Sequence, residues 1–329
     1  MIARRRLVMA LGASALAAPL TSFAQQQPTK IPRLGFLGPT TAAGIATRLE
    51  AFRAGLRDLG YVEGRSIYID YRWAEGDYGR LPALAAELVG INVDVIVTHA
   101  TNGSRAAKQA TTTIPIVIAA TGDAVASGLV TNLARPGGNM TGSSFFSPEI
   151  SSKRMELIKE AVPRITRVAY LLNLDNPVNT GPILRAMEIA ASALKIELQQ
   201  YGVRDAGDFS SAFAAMAKKT IDAVVTSEDA LIVAHIMRIV ELAAKQRILS
   251  IGGIDSAEIG GLIGYGANRP ESFRRAAYFV DRILKGAKPV DLPIEQPTQF
   301  DLVVNMKTAK ALGVKIPQSI LVRATRVIE

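Results

Sequence analysis

The sequence contains no cysteine. Disulfides, thiolate metal sites, cysteine nucleophiles and a lipidated cysteine anchor are therefore excluded from it, and the folded state must rest on an apolar core. Histidine is nearly as scarce. His99 and His235 lie far apart, with no acid or histidine partners at metal-binding spacing, so neither a zinc site nor any other cofactor is expected. Neither G-x-x-x-x-G-K-[ST] nor G-x-G-x-x-G occurs, which argues against a phosphate loop, and there is no G-x-S-x-G nucleophile elbow. Past the N-terminal segment there are no long basic runs; Lys218-Lys219 and Arg274-Arg275 are isolated pairs. Charge scattered in this way belongs to a solvated surface, and no nucleic-acid partner is expected.

What is present suffices for two ordinary domains: 329 residues, 49% of them hydrophobic. The N-terminus must first be set aside. Arg4-Arg5-Arg6 precedes an apolar segment from Leu7 to Leu20, and Ser22-Phe23-Ala24 stands before Gln25. A charged start, a short apolar stretch and a small-x-small site are the anatomy of a cleaved export signal over residues 1–24, too short for a comfortable membrane span. Either the twin-arginine or the Sec route would fit. Removing these residues takes away three arginines and no acid, so a net charge of +9 becomes +6. A periplasmic protein that does not itself span the membrane is expected.

From Ile31 onward, strand-like runs alternate with helical patterns. Arg33–Leu37, Ser66–Trp73, Val93–Thr98 and Ile114–Ala119 read as strands; Thr47–Leu59, Leu81–Val89 and a stretch near Ser104–Thr111 read as helices. The order recurs with strands at Arg167–Leu172, Lys195–Tyr201, Ile221–Thr226 and Arg247–Ile251, and helices at Pro182–Leu194, Asp208–Lys218 and Ala230–Ala244. Strands separated by helices imply right-handed βαβ units and parallel sheets. The expected fold class is α/β: two similar Rossmann-like domains facing each other as a clamshell, with ligand outside the carboxyl ends of the strands. The glycine-rich stretch Ala120–Gly142 falls near the join. Gly122 and Asp123, at a strand's carboxyl end, read as cleft wall, and Ala134–Gly142 reads as a hinge between the halves.

Several longer motifs add a resemblance. Leu49–Gly64, Tyr71–Gly76, Leu81–Leu88, Leu133–Asn139 and Lys307–Gly313 resemble the ABC-transporter substrate-binding protein family that includes tryptophan- and tyrosine-binding members. The resemblance runs from about residue 31 to the end. It implies a type I periplasmic-binding-protein fold with three interdomain crossings. A first domain would comprise 31–145 plus 271–290, and a second 146–270 plus 291–329, so that Phe273–Lys285 packs on the first domain and Phe300–Asn305 returns to the second. It also implies an amino acid or aromatic carboxylate as ligand and an ABC permease as partner. This chain departs from the family's usual Gly-Thr-Pro-Ala at Ala100-Thr101-Asn102-Gly103, and from Gly-Asp-Pro-Val at Gly122-Asp123-Ala124-Val125. It departs again at Glu228-Asp229-Ala230-Leu231, usually Asp-Pro-Leu, and at Tyr265-Gly266-Ala267-Asn268, usually Tyr-Gly-Pro-Asn. The architecture should survive these changes, whereas ligand identity is put in doubt.

Candidate ligand contacts follow the strands. Thr40, Thr41, Thr98, Thr101 and Thr121 bring hydroxyls that suit a carboxylate, although helix capping uses the same residue types. Asp123, Glu228, Asp229 and Asp255 stand just beyond strands, as counter-charges for a ligand ammonium or as loop caps; Asp123 is preferred because its motif is retained. Asn173, Asp175 and Asn179 are polar contacts or Asx turns around Pro177, and Tyr265 is a stacking platform or a core aromatic. His99 ends a strand at the cleft, while His235 lies within a helix and is expected to pack. A solute receptor is the leading reading. A sensor subunit for a membrane receptor, or a hydrolase or isomerase pairing Asp123 with Glu228 or Asp229, are the alternatives; no positioned nucleophile or acid–base constellation supports an enzyme.

Overall fold

The computed structural model describes residues 30–145 and 147–329, without the side chains of 147 and 177–180. The expected export signal therefore lies outside the described residues, as does the side chain of Asn179. In the first sheet, β1 (Arg33–Gly38), β2 (Tyr68–Trp73), β3 (Val95–His99), β4 (Ile116–Thr121) and β5 (Met140–Ser144) are joined through α1 (Ala46–Asp58), α2 (Leu81–Gly90) and α3 (Ala100–Ala110). The strands pair in parallel in the order β5-β4-β3-β1-β2. β3 and β4 are buried along their whole length, which is why they read as unbroken apolar runs; β2, at the edge, is only half-buried and alternates.

After α4 (Ser147–Ala161) the plan repeats. β6 (Arg167–Asn173), α5 (Pro177–Leu194), β7 (Glu197–Val203), α6 (Asp208–Lys218) and β8 (Ala223–Thr226) lead through α7 (Ala230–Ala234) and α8 (Ile236–Lys245) to β9 (Leu249–Gly252), α9 (Ile254–Glu258) and β10 (Ile263–Ala267). Their order, β10-β9-β8-β6-β7, matches the first sheet strand for strand. The helix expected over Ala230–Ala244 is two helices meeting at His235, whose ring packs 5.6 Å from that of Phe209. α5 begins at Pro177, and Pro182 lies inside it.

The chain then returns. α10 (Arg269–Leu284) packs along α1, where Gly55 admits the backbone: a Cβ there would stand 2.7 Å from the Arg274 carbonyl oxygen. β11 (Ile294–Glu295) adds to the first sheet beside β5, so the chain leaves that sheet for the last time after Glu295 and not at residue 291. β12 (Phe300–Asn305) joins β10 antiparallel, and α11 (Met306–Leu312), α12 (Gln318–Arg323) and β13 (Arg326–Ile328) complete the second half. Each sheet carries apolar clusters on both faces: Phe36, Phe52, Phe273 and Phe279 under α1 and α10, Leu81, Leu88 and Ile96 under α2, Tyr170, Met187 and Ile320 under α5 and α12, and Phe209, Phe213 and Ile239 under α6 and α8. The fold is thus α/β with two parallel-sheet domains, as expected.

The hinge reading of Ala134–Gly142 is corrected. Met140 to Ser144 form a fully buried strand in register with β4, and the Asn139 amide donates to the carbonyls of Thr111 (3.2 Å) and Ile114 (2.7 Å). Gly142, at φ 130°, lies against the Ile118 backbone where a Cβ would collide. Its glycine serves close strand packing; the crossing comes after Ser144.

Candidate functional site

In an open sheet of order 2-1-3-4-5, a crevice opens where the connections leave the first and third strands in opposite directions. Both sheets have that order, and one cavity takes its walls from both switch points: Thr40 after β1, His99 to Asn102 after β3, Leu172 and Asn173 at the end of β6, and Ser227 to Asp229 after β8.

On the first-domain side, Thr98 is buried in β3 and its hydroxyl donates to the Leu37 carbonyl at 2.9 Å, locking the ends of β1 and β3 together. It is a strut and does not line the cavity. The β3–β4 register breaks between Thr98 and His99, and Ala100 takes φ 57°, a left-handed conformation that disfavours any residue with a Cβ. This kink turns His99 and the start of α3 into the cavity. Thr101 and Thr121 meet hydroxyl to hydroxyl at 3.4 Å. The Thr40 hydroxyl and His99 Nε2 are buried with no hydrogen-bond partner in the protein, a costly condition that ligand or water would relieve. Thr41 is exposed and receives the Gly44 N–H at 3.1 Å, shaping the entry to α1.

Asp123 does not line the cavity. Its carboxylate accepts the N–H groups of Val125 and Ala126, both at 2.9 Å, so it closes a turn as a loop cap does. Its neighbour Gly122 is in the wall, held through its carbonyl by the Ser144 hydroxyl at 2.9 Å.

On the second-domain side the amides, carboxylates and arginines serve one another, while the buried Ser227 Oγ has no hydrogen-bond partner. Asp229 caps α7 through the Leu231 N–H (2.9 Å) and also receives the amides of Asn173 (2.8 Å) and Asn176 (2.9 Å). Asn173 in turn accepts the Asp175 N–H at 2.9 Å, while the Asp175 side chain turns outward to Arg204 at 3.5 Å. Glu228 is held by Arg154 on one oxygen and by Arg269 on the other. Arg154, fully buried on α4, also donates to the carbonyls of Tyr265 (2.8 Å) and Thr226 (3.1 Å). Tyr265 contributes that carbonyl while its ring stacks on Phe300, away from the cavity. Asp255 pairs with Arg48 of α1, an ion pair from one domain to the other at the cavity's edge.

Burial sets the charge states. It pulls the Arg154 guanidinium down to about 10, and Arg269 is held well below the usual arginine range by burial and then by Arg48 and Arg154. Burial, helped by Arg48 and Arg269, pushes His99 down to about 3, so its imidazole is neutral at physiological pH.

Of the residues singled out from sequence, Thr40, His99, Thr101, Thr121, Asn173, Glu228 and Asp229 meet at this cavity; Thr41, Thr98, Asp123, Asp175, Asp255 and Tyr265 do not line it. Arg48, Arg154 and Arg269 were missed. A signal existed: Arg48 falls on the apolar stripe Ile45-Leu49-Phe52-Leu56, and Arg154 stands between Ile150 and Ile158 at four-residue spacing. A charge on a core-facing stripe demands a buried partner. Among the described residues no group of histidine and acid side chains could hold a metal ion, and no helix is long and apolar enough to cross a membrane.

Comparison with known proteins agrees with this geometry. A tyrosine-binding protein of Clostridioides difficile (strain R20291) is 27% identical over 267 residues, covering 81% of this chain and 76% of that protein. An ABC domain from Streptococcus pneumoniae in complex with L-Trp superposes with a TM-score of 0.82 at 26% identity, covering 90% of this chain and all of the other. The ligand-free, open structure of a substrate binding protein with adhesive properties from Clostridium difficile gives 0.66 at 25% identity, covering 91% and 99%. The fold is that of type I periplasmic binding proteins. The sequence model of ABC transporter substrate binding proteins matches residues 41–328, and the chain belongs to that family.

Proposed function

We propose that this protein is an exported receptor that closes its two domains on a small molecule and delivers it to the permease of an ABC importer in the inner membrane. The observation that carries the reading is the cavity itself: two sheets of one topology place their switch points face to face, and partnerless buried polar atoms line the space between them. Thr40, His99, Thr101, Thr121 and Asn173 are the proposed polar contacts, with Arg48 and Arg269 as the charged ones. Similarity to a tyrosine-binding protein and to an L-Trp complex supports a small ligand that joins a carboxylate to an apolar body. The Arg4–Arg6 and Leu7–Ala24 pattern supports export to the periplasm.

The commitments of three carboxylates weigh against the enzyme alternative. Asp123 caps a turn outside the cavity, Glu228 is bound between two guanidiniums and Asp229 holds three donors, so none is poised as a general base.

A thermal-shift screen of the purified protein against amino acids, organic acids, sugars and nucleosides tests the reading. A ligand specific to the folded state stabilises it by about 2.7 kcal/mol at a hundredfold excess over its dissociation constant. Mass spectrometry should recover the ligand unchanged, and solution scattering should show a smaller radius of gyration when it is bound. Silence across the screen, or conversion of a hit to product, overturns the receptor assignment.

A further inference from the structure

The second-domain wall of the cavity is largely bound to itself, and Ser227 stands apart from it. Asp229 holds the Leu231 N–H and the amides of Asn173 and Asn176, Asn173 accepts the Asp175 N–H, and each oxygen of Glu228 carries a guanidinium. Ser227 lies just past the end of β8, lines the cavity and is only 8% exposed, yet its hydroxyl has no hydrogen-bond partner in the protein. A buried hydroxyl in that condition lowers stability, so its presence in a cavity wall points to a partner from outside the chain.

The local structure fixes this residue in place without using its hydroxyl. The Ser227 N–H donates to the Leu171 carbonyl at 3.0 Å, which carries the β6–β8 ladder one bond past the Leu171–Thr226 pair. On either side, the Thr226 carbonyl accepts Arg154 at 3.1 Å, and Glu228 is tied to Arg154 and Arg269. Three consecutive residues are thus anchored, and the Ser227 hydroxyl is left over. The Tyr170 phenol, from the adjacent strand and also in the wall, is close enough to feel Ser227 but makes no hydrogen bond to it. Across the cavity, Thr40 Oγ1 and His99 Nε2 are in the same state, more than nine-tenths buried and unpartnered. Uncommitted neutral groups therefore stand on both walls. A molecule bonded to the first wall alone would give the second domain little to gain by closing on it.

We propose that Ser227 Oγ is the second domain's hydrogen-bond contact to the ligand, made when the domains close on a molecule already held by Thr40 and His99. The proposal rests on the receptor reading and deepens it, because it names the side chain that ties a bound molecule to the opposite wall. A ligand shifts an open–closed balance only through bonds that exist in one state and not in the other, and this bond belongs to the closed one. It makes no demand on the ligand's charge, since a hydroxyl meets a polar atom either as donor or as acceptor.

The test compares wild type with Ser227→Ala. Wild type is first screened by thermal shift against the protein amino acids, organic acids, sugars and nucleosides, and the tightest-binding compound is the probe in every later measurement. Isothermal titration should show Ser227→Ala binding this probe at least about fivefold more weakly. Stopped-flow kinetics should place the loss in faster dissociation, with association within about threefold of wild type. Without probe, Ser227→Ala should melt within about 2 °C of wild type or above it, because its hydroxyl has no protein bond to lose. A smaller loss of affinity, or one that lies in association, overturns the proposal and leaves the receptor reading standing. A melting point lowered beyond that range without probe also overturns it, and disappearance of the deficit in a Tyr170→Phe background would identify Tyr170 as the hydroxyl's partner. If no compound stabilises wild type, the receptor reading falls and the proposal with it.

Discussion

The two sides of the cavity are built on the same strand order yet finished in opposite ways. The first-domain side ends in uncapped helices, a partnerless threonine hydroxyl and a partnerless imidazole, with Ala100 held in a left-handed conformation between them. On the second-domain side Asp229 and Asn268 cap the helices α7 and α10, and the arginines and carboxylates answer one another. Unsatisfied groups lower stability and are retained where they do something else, which is why the first side, with its uncapped helices, supplies most of the proposed contacts. The second is held mainly by its own ion pairs and amide bonds, with the buried Ser227 Oγ left without a hydrogen-bond partner.

That contrast can be broken most forcefully at Arg154. Arg154→Met should lower the unfolding free energy by about 3–5 kcal/mol, because it strips a buried partner from Glu228 and from two carbonyls. Urea denaturation measures this directly, and a change under about 1 kcal/mol would mean that the second wall does not depend on its internal pairing. Asp229→Ala should cost about 1–3 kcal/mol by the same method, since it removes a cap and leaves two buried amides without their acceptor.

On the first side the largest effect is acid sensitivity. His99 stays neutral in the folded protein down to about pH 3, whereas the unfolded chain takes up a proton near 6.5. The unfolded state therefore binds the proton over that window, and stability falls as pH drops through it, by up to ~1.4 kcal/mol per pH unit. Wild type should lose stability faster than His99→Asn between pH 6.5 and 4; parallel curves would show that this imidazole ionises freely in the fold. Asp123→Ala should cost about 1 kcal/mol, the value of a cap, and leave ligand affinity nearly unchanged. The smallest effect belongs to Thr40→Val. Its hydroxyl has no protein partner to lose, so the melting curve should stay within about 0.5 kcal/mol of wild type while ligand affinity falls.

The alternation of strands and helices, the repeat of that order and the family were all legible in the chain, because apolar periodicity is a local property that each element carries whatever its neighbours are. That Thr40, Thr101, Thr121, Asn173 and His99 would line the cavity was legible for a related reason: a parallel sheet opens its crevice at strand ends, and strand ends can be read. Asp123 misled because a carboxylate after a strand looks the same whether it faces a ligand or its own turn. The arginine cluster lay out of reach as a cluster. Arg48 and Asp255 are 207 residues apart, Arg154 and Glu228 are 74 apart, and the Tyr265 carbonyl is 111 from Arg154. Sequence by itself determined which segments form strands and helices, and hence two domains of one plan. Only the tertiary structure decided that Gly142 belongs to a strand and which carboxylates are already occupied, because these depend on which distant groups the sheets bring within hydrogen-bonding distance.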